Sequence, residues 1–111
     1  MVRDKKIRKV ILDIAERIKN NYNPEKIILF GSYAHGKPTR DSDIDMLIVK
    51  RTRKKSMDRW MEVRKMVYDQ NRGIPFSPLI LTPKELRYRL SLEDDFFREI
   101  LERGKMLYER E

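Results

Sequence analysis

Asp43 and Asp45 stand two positions apart in the stretch DSDIDMLIV, residues 41–49, where a polar loop runs into an apolar segment. Side chains two apart on a strand share a face, so a strand here would project both carboxylates together. A pair of this kind suits hard divalent cations with oxygen ligands, magnesium above all. Magnesium seldom sits in an all-protein cage, since it keeps water and recruits phosphate oxygens. Two such ions about 4 Å apart can activate an attacking hydroxyl and neutralise a pyrophosphate leaving group. The plainer reading of D-x-D is a charged strand end that discourages edge pairing.

Upstream, Gly31 and Ser32 follow the apolar run KIILF, residues 26–30, and SYAHG can begin a short helix. Backbone N–H groups at such a strand-to-helix turn point toward an anion, and the helix dipole adds to the attraction. Glycine carries no Cβ to hold a phosphate off, and the Ser32 hydroxyl can donate to a phosphate oxygen. Tight turns use the same two residues with no ligand at all. The conjunction is more specific than either half: a strand, Gly-Ser, a polar loop, then S-D-x-D opening a second strand.

The elements that must position these residues are legible in outline. Ile7, Val10, Ile11, Ile14 and Ile18 recur at three- and four-residue steps, which predicts a helix over 4–20 ended by NNYNP. KIILF reads as a short strand buried on both faces, and IDMLIVK, residues 44–50, as the next. The run KRTRKK, 50–55, suits an exposed connection, with an RNA or nucleotide contact as the functional version. Met57, Trp60, Met61, Arg64, Val67 and Tyr68 fit a second amphipathic helix. GIPFSPLILTP, 73–83, predicts a third strand, placed at an edge or bulged by Pro78, which has no ladder donor. Thr82 and Glu85 form a capping box, and Ser91 with Asp94 repeats the device before FFREILER. Gly104 is placed as a helix C-cap, and KMLYE as a last short strand. Trp60, the methionines and Phe96-Phe97, all at helical spacing, read chiefly as core. The sum is one α/β (α+β) domain over residues 1–111, a small mixed sheet of three or four strands with helices packed on it.

Composition narrows the setting. With no cysteine, disulfides and thiolate metal sites are excluded. No segment reaches the roughly 18 apolar residues of a membrane span, so a cytoplasmic protein without membrane contact is expected. Charged residues make up 40% of the chain, a content that fits a thermophile's surface of ion-pair networks. The net charge of +8 would steer nucleic acid, nucleotide phosphate or an acidic protein, although a solvated basic surface needs no partner.

GSYAHGKPTRDSDIDMLIV, residues 31–49, resembles the signature of the DNA polymerase β-like nucleotidyltransferase superfamily, and within it the minimal nucleotidyltransferase (MNT) group. PEKIILFGS before it, LTPKEL after the third strand and ILERGKMLYE at the end resemble that group as well. The resemblance implies the polymerase β-like nucleotidyltransferase fold and transfer of a nucleoside monophosphate from a nucleoside triphosphate, ATP, to a hydroxyl. Gly31, Ser32 and Ser42 would hold the triphosphate, and Asp43 and Asp45 would bind Mg²⁺, two ions with nucleotide bound. It also implies a HEPN-domain toxin as partner, this chain being the antitoxin that transfers AMP to a tyrosine of the toxin. Self-association is a further possibility, and nucleic-acid binding through the basic surface the less favoured one.

One position departs from the pattern. The family's third carboxylate falls on a neighbouring strand, and alignment on Thr82-Pro83 puts Ser77 in its place. Serine is neutral and a poor Mg²⁺ ligand, so a binding-only module is the alternative to an enzyme. Asp41 or Asp69 could supply the missing ligand, as could a partner protein. His35, Lys37 and Arg40 either touch the triphosphate or solvate the loop, and Tyr88, Leu92 and Phe96 could mark a face for a partner helix.

Overall fold

Nine elements run through residues 1–111 of the computed structural model: α1 (Lys5–Tyr22), β1 (Lys26–Phe30), α2 (Ser32–His35), β2 (Ile44–Val49), α3 (Ser56–Val67), β3 (Phe76–Leu81), α4 (Pro83–Ser91), α5 (Asp95–Arg103) and β4 (Lys105–Glu109). The strands form one sheet in the order β3-β2-β1-β4. β1 pairs antiparallel with both β2 and β4, whereas β2 and β3 run parallel. This is the small mixed sheet with packed helices that the sequence predicted.

Strand alternation sorts the two faces. On one side Ile27, Leu29, Ile44, Met46 and Ile48 meet the α1 stripe Ile11, Ile14 and Ile18 and the α3 residues Val63 and Val67. On the other, Ile28, Leu47 and Val49 meet Leu86 of α4 and Phe97 and Ile100 of α5. Ile11, Ile14 and Ile18 are fully buried, and truncating any one to alanine would cost ~2–5 kcal/mol. β1 and β2 are thus covered on both sides, as their unbroken apolar runs require.

Local chemistry sets the ends. The Asp4 carboxylate caps α1, accepting from the Lys6 and Ile7 N–H groups at 2.8 and 3.2 Å. α1 outruns its predicted end because the Tyr22 ring is buried, and it stops where Asn23 turns left-handed (φ 54°) before Pro24. β3 is shorter than the predicted 73–83, since Gly73 (φ 83°) and the Ile74 N–H, bonded to the Asn71 carbonyl, still belong to a turn. It lies at the sheet edge, where Pro78 is tolerated. The Thr82–Glu85 capping box is formed in both directions, at 2.8 and 3.1 Å.

Two expectations need correction, and one holds with a different geometry. Ser91 is no cap: its hydroxyl donates to the Tyr88 carbonyl within α4, and Asp94 alone caps α5. Gly104 is the C-cap of α5 as expected, its N–H donating to the Ile100 carbonyl, with φ at −71° rather than left-handed. It is required there because a Cβ would lie 2.4 Å from the Ile100 carbonyl and 2.7 Å from the Ile28 side chain. The second correction concerns α3, which turns Arg59, Val63 and Val67 inward. Met57, Trp60 and Met61 are exposed, as is Phe96, so of the residues read as core only Met46 and Phe97 are buried.

Candidate functional site

β1 ends at Phe30, and the chain turns at once through Gly31, whose φ of 75° and ψ of −159° lie in a region open essentially only to glycine. Contact gives a second reason for the residue: a Cβ at Gly31 would stand 2.4 Å from Oδ2 of Asp45. The four residues Ser32–His35 make one helical turn, closed where the Gly36 N–H donates to the Ser32 carbonyl. Buried Tyr33 anchors that turn. Its carbonyl accepts from the Val2 N–H at 2.8 Å, and its hydroxyl donates to the Ser42 carbonyl at 3.4 Å. The Gly-Ser turn is therefore tied to the loop that carries the aspartates.

Asp43 immediately precedes β2, and Asp45 lies within it. Ile44 and Met46 belong to the α1–α3 side, so alternation sends Asp43 and Asp45 toward the α4–α5 side, with Leu47. Across the ladders Asp45 stands opposite Phe30 on one side and Ser77 on the other. The Ser77 hydroxyl donates to Oδ2 of Asp43 at 2.7 Å. Burial, and then the charge of Asp43, push the Asp45 carboxyl up to about 6. Two half-buried carboxylates on one face, with the charge of Asp43 adding to the cost of ionising Asp45, are a donor set that a divalent cation would relieve, so these residues fit magnesium. Burial and the Asp43 charge likewise raise the Tyr33 phenol.

The other candidates fall into place around this pair. Gly31, Ser32 and His35 line a cleft of ≈ 330 Å³ together with Phe30, Phe96 and Glu99. The α5 wall of that cleft was missed in the sequence, where Phe96 reads chiefly as core or as part of a face for a partner helix and no motif singles out Glu99. The Ser42 hydroxyl accepts from the Thr39 N–H at 2.8 Å and so shapes the loop. Lys37, Arg40 and Asp41 are on that loop, all three exposed. Asp69 lies in the turn after α3, and nowhere do three Asp, Glu or His side chains gather as a metal cluster. Residues 50–55 follow the far end of β2, away from Asp43.

A family model described as polymerase beta, nucleotidyltransferase, matches residues 13–111. Two candidate protein adenylyltransferases of Methanocaldococcus jannaschii are similar in sequence. MJ1305 is 28% identical over 127 residues, covering 96% of this chain and 86% of the relative. MJ0604 is 32% identical over 103 residues, covering 90% and 96%. Two crystal structures share the fold. The toxin–antitoxin MntA–HpeT mutant aligns with a TM-score of 0.64 at 20% identity, covering 89% of this chain and 73% of that one. A candidate nucleotidyltransferase from Sulfolobus solfataricus aligns at 0.60 and 22%, covering 95% and 82%.

Proposed function

The chain belongs to the polymerase beta nucleotidyltransferase family, and from that premise we propose that it binds ATP–Mg²⁺ and transfers AMP to a hydroxyl of a partner protein. The observation that carries this is the half-buried Asp43–Asp45 pair, with Gly31 pressed against Oδ2 of Asp45. Asp43 and Asp45 would hold Mg²⁺; Gly31 and Ser32 would hold the triphosphate, with Ser42 shaping the loop between them. Bound magnesium supplies charge neutralisation of the triphosphate and the pyrophosphate. In the transfer, the acceptor oxygen bonds to the α-phosphorus, the bond to the bridging oxygen of the β-phosphate breaks, and the acceptor proton passes to solvent. The Ser32 hydroxyl and the Gly31-Ser32 turn keep the triphosphate in line for that displacement.

The partner we propose is a HEPN-domain toxin with a tyrosine as acceptor, this chain acting as the antitoxin. Two things support it: the relatives' names as protein adenylyltransferases, and the fold shared with one member of a toxin–antitoxin pair. Ser77 favours a second reading, a module that neutralises its partner by binding alone. Incubation with α-labelled ATP, Mg²⁺ and a HEPN-domain toxin from the same genome separates the two. Label on the toxin is expected, and its loss in the Asp43→Asn/Asp45→Asn variant. Neutralisation without label transfer would leave only the binding reading.

A further inference from the structure

We propose that this site takes a single divalent cation, the one that accompanies the nucleotide, because position 77, where a third carboxylate would stand beside Asp43 and Asp45, carries a serine that adds no charge. The inference rests on the nucleotide-binding reading and goes beyond it, since the aspartate pair by itself is compatible with two ions.

Three observations converge. The first is donor supply. Magnesium is held by one or two carboxylates completed by substrate phosphates and water. Asp43 and Asp45 meet that need once, and no third Asp, Glu or His joins them.

The second is that the pair is already partly committed. Oδ2 of Asp43 accepts the Ser77 hydroxyl at 2.7 Å. Oδ2 of Asp45 lies against the face of Gly31, where a Cβ would come to 2.4 Å. Asp43 is thereby oriented, with one oxygen engaged by the protein, and Asp45 is confined on one side by the Gly31 backbone.

The third is charge. Two dications repel with about four times the energy of two unit charges at the same separation. Carboxylates between them must offset that repulsion, and Ser77 stands where one more would count. It lies opposite Asp45 in the parallel ladder and reaches Asp43 through its hydroxyl. An aspartate there would touch the same two neighbours and supply the missing charge. Serine gives orientation without it.

The count of ions is accordingly limited by the charge that position 77 lacks, while the Ser77 hydroxyl orients Asp43. The test loads the full chain with Mn²⁺ and α,β-methylene-ATP, isolates the complex, and measures manganese per bound nucleotide together with its electron paramagnetic resonance spectrum. The wild-type protein should retain one Mn²⁺ per nucleotide with the signal of an isolated ion. Ser77→Ala should keep that count, and Ser77→Asp should raise it to two with the signal of a spin-coupled pair. Two coupled ions in the wild-type complex would overturn the inference while leaving the nucleotide reading intact. So would a Ser77→Asp variant with native circular dichroism that still holds one. If the wild-type chain retains no nucleotide, the reading beneath fails and this inference with it.

Discussion

At the scale of single residues the site is held by a glycine and a carboxylate that constrain one another. Gly31→Ala meets two penalties, a backbone region that disfavours any Cβ and a contact of 2.4 Å with Asp45. The expected cost is ~1–3 kcal/mol from the backbone alone, seen as a lowered urea midpoint, with nucleotide binding lost besides. Asp45→Asn should act in the opposite sense on stability. The folded protein holds this carboxyl at about 6 against an ordinary 3.8, so between those values the native state binds more protons than the unfolded chain. Stability in chelator therefore falls as pH rises through that window. The shift corresponds to at most ~3 kcal/mol, which screening of a half-exposed group reduces to ~1 kcal/mol. Asp45→Asn should raise the melting temperature in EDTA at pH 7 by a few degrees and flatten its decline between pH 4 and 6, while abolishing nucleotide-dependent cation binding. An unchanged pH profile would mean that Asp45 is not the strained group.

At the scale of elements, α3 and α4 are joined by a pair that sequence periodicity hides. Arg59 is buried: its guanidinium donates to the Lys54 and Ile80 carbonyls at 2.7 and 3.4 Å and to Glu85 at 2.7 Å. The same Glu85 oxygen accepts the Thr82 N–H of the capping box. The Arg59 hydrogen bond leads the contributions that hold the Glu85 carboxyl below its ordinary range. Glu85→Ala strips the partner from a buried cation. Fully buried pairs lose ~3–5 kcal/mol in that way, and because Glu85 is half open to solvent, ~2 kcal/mol is expected by chemical denaturation. Arg59→Met, which removes the charge itself, should cost less; a larger loss would contradict the account. The capping box was legible because it is a local pattern of two residue types at a fixed spacing. The inward face of α3 was not, since the helix carries two usable stripes. Met57, Trp60 and Met61 form one, and Val63 and Val67 with Arg59 form the other. Periodicity finds a stripe but does not say which one meets the sheet. Here an arginine points inward because carbonyls and a glutamate wait for it. The aspartate pair and the Gly-Ser turn were readable for the same reason as the capping box, whereas the Ser77–Asp43 bond joins residues 34 apart and depends on the parallel register of β2 and β3.

At the scale of the whole molecule, which carries a net charge of +8, the aspartate pair and the basic run 50–55 lie at opposite ends of one strand. The aspartates sit at the start of β2 and the basic run 50–55 follows its end, so the six-residue strand separates them by roughly 20 Å. At physiological salt the Debye length is about 8 Å, and the run therefore contributes little to the potential felt by a triphosphate at Gly31. Part of its charge is also spent locally, with Arg51 paired to Glu25 at 3.2 Å and Lys54 to Glu62 at 2.9 Å. Its reach would be toward a larger acidic partner, which would meet the whole surface before docking. Replacing Arg51, Arg53, Lys54 and Lys55 by serine should leave Mg²⁺–ATP affinity within about threefold at 0.15 M salt, measured calorimetrically. The same variant should associate with an acidic protein partner about tenfold more slowly at low salt, with dissociation nearly unchanged. Loss of nucleotide affinity in this variant would refute the separation of the two ends. A steep fall in RNA affinity, with a salt slope reduced by roughly one for each phosphate contact removed, would instead make this end a nucleic-acid surface. On this reading the sheet would divide the molecule, with the proposed chemistry at one end of β2 and long-range attraction at the other.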